Sequence, residues 1–196
     1  MQAWMLQQPD GLQALSLTTT NKPIPAADEI CVKVAVVGLN PIDYKLTHWG
    51  YATWNYPQII GLDVTGNIES VGENVHHFNI NDRVMFFADP RTAGGFAEYV
   101  CVKAIAVSRI PLTLSFIDAA ALPCAGYSAW IAVHDKLHVA AGQHIAITGA
   151  GGGVGGFAAQ LVRMSMPLQN DSTMLDYSAM VLMRLLIHKT MLRLNL

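Results

Sequence analysis

The chain has 196 residues, of which 52% are hydrophobic and 13% charged, and its formal net charge at pH 7 is −2. This much apolar material is sufficient for the core of one large domain or two small ones. The balanced charge and the lack of a long basic run give no electrostatic support to a nucleic-acid or membrane partner, so we expect neither. A small neutral or weakly charged molecule is the expected ligand.

The cysteines and the N-terminus bear on the cellular compartment. Cys31, Cys101 and Cys124 are widely separated and odd in number, which fits neither a disulfide framework nor a CxxC metal site. The first residues lack the pattern of a signal peptide, and no run reaches the ~18 apolar residues that span a bilayer. A cytoplasmic location is therefore expected.

Short β-rich runs dominate the chain up to about Pro111. A strand is predicted for Glu29 to Val37, where apolar and polar residues alternate, and two further β-rich runs predict strands at Arg83 to Phe87 and Phe96 to Val102. Glycine, asparagine and aspartate separate these runs and supply turns. The spacing predicts a compact, β-rich barrel.

The pattern becomes helical at Ser115, which is a typical helix-capping residue. Pro123 is expected to divide the following stretch into two helical pieces. After a turn at residues 141–143, the segment His144 to Thr148 predicts a short buried strand, and Phe157 to Met164 predicts an amphipathic helix. Together they form a β-turn-α unit.

A glycine-rich turn connects that strand to that helix. Glycine suits a dinucleotide site because the backbone turns sharply, the diphosphate approaches with no room for a Cβ, and the helix packs closely on the strand. A flexible glycine loop is the alternative. The predicted cofactor-binding residues of this turn are Gly149, Ala150, Gly151, Gly152, Gly153, Val154 and Gly155.

Six blocks give the sequence a specific resemblance. In order they are GLNPIDYKL, YPQIIGLDVTGNIESVGENV, NDRVMFF, GGFAEY, AAALPCAGYSAW and ITGAGGGVGGFAAQLV. They resemble the signature blocks of the medium-chain dehydrogenase/reductase superfamily, in its zinc-free quinone oxidoreductase (zeta-crystallin-like) branch, over roughly the first 163 residues.

The resemblance implies a domain organisation and an activity. It implies a GroES-like, partly open barrel over residues 1–114, the start of an NAD(P)-binding Rossmann domain over 115–164, and an active site in the cleft between these domains. It also implies reduction of a quinone or an α,β-unsaturated carbonyl, with NADPH favoured as cofactor and NADH possible. A homodimer is expected from the family alone.

The same comparison predicts that no metal is bound. Zinc alcohol dehydrogenases have a cysteine near the position of Asn40 and Pro41 and a GHE motif where this chain has Gly61-Leu62-Asp63. The four-cysteine lobe of a structural zinc is also missing, so tetrahedral zinc lacks its ligands. Hydrogen bonds must then polarise the acceptor in place of a Lewis acid.

Candidate catalytic residues lie in the NPIDY block: Asn40, Asp43 and Tyr44. The Asn40 amide can donate to a carbonyl oxygen and position the nicotinamide, and the Tyr44 hydroxyl can donate a proton or cover the pocket. For Asp43, capping of a helix is the favoured interpretation. Asp63 either holds backbone, pairs with a basic group or serves the cleft. Ser128 lies where relatives often have a threonine that touches the cofactor, and an ordinary helical serine is the alternative.

The tail, residues 165–196, departs from the family pattern. A shift of reading frame would explain it, because Met180 to His188 can be encoded so that the third nucleotide begins Gly-Ala-Asp-Glu-Val-Ile-Asp-Ser, which resembles a later block of the family. An amphipathic helix for a partner or a membrane surface is the alternative. The function is accordingly left open between the family's enzyme, an inactive fragment or GroES-like binding module, and an alcohol dehydrogenase-like enzyme.

Overall fold

The computed structural model describes residues 1–140 and 143–165. It contains two compact units, Met1–Cys124 and Ala125–Leu196. The boundary after residue 114, which the sequence predicted between a GroES-like and a Rossmann domain, stays a prediction. The tail after Ser165 lies outside the described residues. Within those residues, no helix has the length and apolar character needed to cross a membrane.

The first unit contains two antiparallel sheets. Their strands are β1 (Gln2–Leu6), β2 (Leu15–Thr19), β3 (Glu29–Gly38), β4 (Gln58–Ile59), β5 (Asp63–Val71), β6 (Arg83–Phe87), β7 (Tyr99–Lys103) and β8 (Ser108–Arg109). In the smaller sheet, the central β1 pairs with both β2 and β4. In the larger sheet the order is β7-β3-β5-β6-β8, and every neighbouring pair is antiparallel.

The core of this unit lies against the larger sheet. Val32, Val64 and Val84 are fully buried there because one face of β3, β5 and β6 packs inward. The predicted strands at Glu29 and Arg83 are confirmed. The third begins at Tyr99 rather than Phe96, because the N–H and C=O of Phe96 bond to Ile60 and Trp4 instead of to β3.

The two helical pieces predicted after Ser115 are α2 (Phe116–Ala120) and α3 (Pro123–Trp130), and a π-helical segment, Ile131–Lys136, continues α3. An earlier helix, α1 (Pro41–Trp49), lies within the part of the chain predicted to be mostly β. The hydroxyl of Ser115 accepts the backbone N–H of Asp118 at 3.1 Å, so the predicted cap is confirmed. The predicted break at Pro123 is also confirmed, since it separates α2 from α3.

The described part of the second unit consists of helices and turns. Its small core contains Ala129, Val133, Ile147 and Ala158, and α4 (Gly153–Ser165) begins four residues earlier than predicted. The predicted strand His144–Thr148 is wrong: the segment forms no strand, and of its residues only Ile147 is buried. A parallel strand needs hydrogen-bonded neighbours, and the described residues of this unit provide none.

A glycine inside β5 tests how tightly the larger sheet is packed. A Cβ on Gly66 would lie 2.1 Å from the carbonyl oxygen of Lys33 on β3, so the strands would have to separate. We expect Gly66→Ala to lower the free energy of unfolding by about 1–3 kcal/mol, as overpacked cores do. Urea denaturation followed by tryptophan fluorescence measures this change.

The matched control is Gly126→Ala in α3, where a Cβ would have no heavy atom within 4 Å. Alanine is the better helix former, so this variant should be neutral or more stable by up to about 1 kcal/mol. Equal unfolding midpoints for the two variants would contradict the predicted close contact at Gly66.

Candidate functional site

The NPIDY block forms the start of helix α1. Asn40 has an extended backbone (φ −123°, ψ 158°) and Pro41 occupies the first helical position, where a missing N–H costs nothing. A carboxylate oxygen of Asp43, Oδ2, accepts the backbone N–H of Asn40 at 2.7 Å. This bond satisfies a donor at the helix start, which confirms the interpretation of Asp43 as a helix-capping residue. A catalytic role for Asp43 stays a prediction.

The side chain of Asn40 is held by Asp63. Its Nδ2 donates to Asp63 Oδ2 at 2.8 Å, and the other oxygen of Asp63, Oδ1, accepts the backbone N–H of Cys124 at 2.8 Å. Asp63 is the first residue of β5, so one carboxylate connects α1, β5 and α3. Of the interpretations left open for Asp63, a hydrogen bond to the backbone is confirmed by its contact with the N–H of Cys124. Its side-chain partner is the neutral amide of Asn40 instead of a basic group.

Burial raises the pKa of both carboxyl groups. Asp43 is 4% exposed and Asp63 is 2% exposed, so their charged forms are poorly solvated. The hydrogen bonds from Asn40 and Cys124 act in the opposite direction on the pKa of Asp63, while the negative charge of Asp43 raises it further. The other oxygen of Asp43, Oδ1, is buried and has no hydrogen-bond partner among the described residues.

Cys124 is the member of this cluster that sequence reasoning missed. Its backbone N–H holds Asp63, and its own thiol has a pKa raised to about 11 by burial and by the charges of Asp63 and Asp43. The two partners are 61 residues apart, and a backbone donor carries no side-chain signature. No pattern in the sequence could have identified this contact.

Two other predicted residues lie outside this cluster of side chains. Tyr44 is on α1 with its side chain 52% exposed, so its ring and hydroxyl are available to solvent or to a ligand. Ser128 is an exposed residue of α3 in the second unit. The structure therefore brings Asn40, Asp43 and Asp63 together, and the roles predicted for Tyr44 and Ser128 stay predictions.

The glycine turn before α4 has the shape that the sequence predicted. Gly149 has a positive φ of 69°, and its carbonyl accepts the N–H of Gly152 at 2.9 Å. A Cβ on Gly155 would lie 2.2 Å from the oxygen of Gly149, so only glycine lets the helix approach the turn. Beside Gly149 and Gly151 the equivalent space is open, with no heavy atom of the described residues within 4 Å.

Metal-binding side chains are not clustered in the part of the chain that the structure describes. In residues 1–140 and 143–165, no group of three or more His, Cys, Asp or Glu side chains is arranged to hold a metal ion. Leu62 stands where the GHE motif has its histidine, and the neighbouring Asp63 is hydrogen-bonded to Asn40. Zinc independence stays a prediction.

Comparisons with known proteins agree with the described fold. Residues 26–112 match the alcohol dehydrogenase GroES-like domain. A quinone oxidoreductase of Lama guanicoe is 36% identical over 142 residues, which are 72% of this chain and 42% of that protein. A zinc-type alcohol dehydrogenase-like protein of Staphylococcus aureus is 30% identical over 148 residues, covering 72% of this chain and 44% of that protein.

A solved structure of a quinone oxidoreductase has a similar fold. The quinone oxidoreductase from Coxiella burnetii aligns with a TM-score of 0.77 at 33% identity, over 84% of this chain and 54% of that chain. The chain thus belongs to the medium-chain dehydrogenase/reductase superfamily, an oxidoreductase family, and contains its GroES-like domain. It spans less than half the length of the curated relatives it matches. The predicted family and fold class are confirmed.

The buried Asp43 should make stability depend on pH in a defined direction. Because its pKa is raised in the folded state, the folded chain holds this proton more tightly, and stability falls as pH rises from about 4 through the folded-state pKa. Asp43→Asn removes this titration. The free energy of unfolding of wild type minus that of Asp43→Asn should therefore decrease across this window by about 1.4 kcal/mol per unit of raised pKa.

Urea denaturation of both proteins at a series of pH values measures the difference. A difference that is constant with pH, or that increases as pH rises, would contradict the effect of burial on the pKa of Asp43.

Proposed function

We propose that this chain is part of an oxidoreductase in which a nicotinamide nucleotide reduces a quinone or an α,β-unsaturated carbonyl without zinc. The main support is the Asn40–Asp63 hydrogen bond. Asn40 lies near the position of a cysteine in the zinc enzymes, and Asp63 directly follows Leu62, which stands where their GHE motif has its histidine ligand. Relatives named quinone oxidoreductase, at 36% and 37% identity, support the substrate class. NADPH is the proposed cofactor, with NADH as the alternative, and a homodimer is the proposed assembly.

The glycine turn is the proposed site for the diphosphate of the nucleotide. The open space beside Gly149 and Gly151 is room that a Cβ would fill. The 13-residue helix α4 follows directly, and the first-turn N–H groups of a helix have no partner within it and carry its positive end. The bound nucleotide would supply a hydride. The residues of the turn bind and orient its anionic part.

Asn40 is the proposed donor to the carbonyl oxygen of the acceptor. One hydrogen of its Nδ2 is donated to Asp63, which fixes the plane of the amide, and the second hydrogen remains for a ligand. Asp43 holds the backbone of the same residue. An amide restrained at both ends can stabilise negative charge on the oxygen without reorganising during the reaction. Tyr44, whose ring is half exposed on the same helix, is the proposed cover of this site.

The Staphylococcus aureus relative, named a zinc-type alcohol dehydrogenase-like protein, favours a second candidate function, alcohol oxidation with zinc. Both oxygens of Asp63 already accept hydrogen bonds, which weakens this residue as a metal ligand. Stoichiometric zinc in the purified chain, together with alcohol-dependent reduction of NAD⁺, would support the second candidate over the first.

Gly151→Ala tests the proposed diphosphate site. The new Cβ meets no protein atom, so the fold and its thermal stability should be unchanged. The same methyl group would occupy the space proposed for the diphosphate, so the dissociation constant for NADPH should rise at least about tenfold, which corresponds to ~1.4 kcal/mol. Isothermal titration calorimetry measures the affinity and circular dichroism measures the stability.

Gly126→Ala is the matched control, since its Cβ also points into open space but lies on α3. It should bind NADPH like the wild type. Equal affinities of Gly151→Ala and wild type would contradict the diphosphate site. Failure of the wild-type chain to bind NADPH or NADH would favour an inactive fragment or a GroES-like binding module.

Asn40→Ala tests the proposed hydrogen bond to the acceptor. Loss of a charge-stabilising donor typically lowers kcat by about 10²–10³-fold, and we expect a decrease of this size in quinone-dependent NADPH oxidation, followed at the absorbance of NADPH. Nucleotide affinity at the glycine turn provides the second measurement and should change much less than kcat.

Asn67→Ala is the control, because Asn67 also donates its amide within the fold, to the carbonyl of Asn81, but lies away from the NPIDY block. It should retain activity. Similar losses of kcat in both variants would indicate that lower stability causes the effect. Full activity of Asn40→Ala would exclude Asn40 as the donor.

A further inference from the structure

Two cysteines that are distant in sequence lie directly opposite each other in the larger sheet. Cys31 on β3 is paired with Cys101 on β7, between the pairs Ile30–Val102 and Val32–Val100. Directly opposed residues of antiparallel strands project from the same face, with Cα atoms about 4.5–5.5 Å apart. This separation lies within the range of about 4.4–6.8 Å that a disulfide requires. Both thiols are free in the structure.

The pair lies on the face of the sheet opposite to the core. Val32 packs into the core, and Cys31, its neighbour in the strand, projects to the other side. There Cys31 is fully buried, and its thiol donates to the carbonyl of Pro23 at 3.7 Å. Cys101 is only partly buried and β7 is an edge strand, so a small oxidant can reach the pair from the side of Cys101.

The surroundings favour a thiolate at Cys31, with Cys101 as the protonated partner. A hydrogen bond with the Cys101 thiol lowers the pKa of Cys31 and the nearby Lys22 ammonium acts in the same direction, while burial and the Glu69 carboxylate oppose them. The same hydrogen bond raises the pKa of Cys101. Lys22 is held in place by an ion pair of 2.5 Å with Glu69 and by the ring of Tyr99, whose centroid is 4.2 Å away. A thiolate is the nucleophilic form of cysteine, and a neighbouring cation favours it.

We propose that Cys31 and Cys101 form a redox-active pair that hydrogen peroxide oxidises to a cross-strand disulfide. In the first step a thiolate sulfur attacks a peroxide oxygen, the O–O bond breaks, and a sulfenic acid forms while hydroxide leaves and takes a proton to become water. In the second step the other thiol attacks the sulfenic sulfur, the S–O bond breaks and a second water leaves. Overall, two thiols lose two electrons and two protons, and the peroxide is reduced to two waters.

The disulfide would join edge strand β7 covalently to β3. The pair lies apart from the Asn40–Asp63 site, so the proposal does not depend on the proposed catalytic function. Cys124 provides an internal comparison, because its thiol is partly buried beside two carboxylates that disfavour a thiolate.

The experiment treats the reduced, folded full chain with hydrogen peroxide, blocks remaining thiols with N-ethylmaleimide and maps the digested peptides by mass spectrometry. The expected product is a peptide pair linked through Cys31 and Cys101, with Cys124 alkylated and with the link removed by dithiothreitol. Cys124→Ser should give the same product at the same rate, and Cys31→Ser should lose it.

Two results would overturn the proposal. One is that Cys31 and Cys101 both stay reduced, and are therefore found alkylated, under conditions that oxidise Cys124. The other is a mixture of links that includes Cys124 and matches the mixture from the chain oxidised in urea, since this pattern reports random pairing of unfolded thiols. The map of the wild-type chain decides the question even if Cys31→Ser does not fold.

Discussion

The arrangement of the candidate site residues in the first unit depends on the carboxylate of Asp63. It accepts the side-chain amide of Asn40 with one oxygen and the backbone N–H of Cys124 with the other, so the starts of α1, β5 and α3 are held by one group. A hydrogen bond to a charged group contributes about 1.5–3 kcal/mol, and an unsatisfied buried carboxylate costs more than that. The donors therefore have to stay in place, and the orientation of Asn40 follows from this requirement.

The second buried carboxylate, Asp43, has a hydrogen-bond partner for only one of its oxygens within the described part of the chain. Its bond to the backbone of Asn40 restrains the residue that Asp63 restrains through the side chain. Burial raises the pKa of both groups, and the charge of Asp43 raises the pKa of Asp63 further. The fold thus accepts an electrostatic cost at the NPIDY block, and such costs are concentrated where a protein positions groups for binding or reaction.

The second unit contributes a different kind of element. Its glycine turn combines a close backbone approach, at Gly155 over Gly149, with open space beside Gly151. The close approach lets the helix pack on the turn, and the open space has room for a ligand. The same seven-residue stretch, Gly149 to Gly155, therefore excludes side chains where the backbone packs closely, and it leads into the first turn of α4, where the N–H groups of a helix have no partner within the helix.

Local features could be predicted from the sequence because their causes lie within a few residues. The β-rich composition of residues 83–87 predicted strand β6, and the Ser115 hydroxyl determined the start of α2. Pro123 determined the separation of α2 from α3, and glycine determined the turn before α4. Features that join distant residues were decided by the tertiary structure alone. The strand expected at His144–Thr148 did not form because a strand's backbone groups need neighbouring strands. The Cys31–Cys101 pair exists because strand register places the two residues opposite each other, and the Asp63–Cys124 contact exists because the chain returns to β5 at the start of α3.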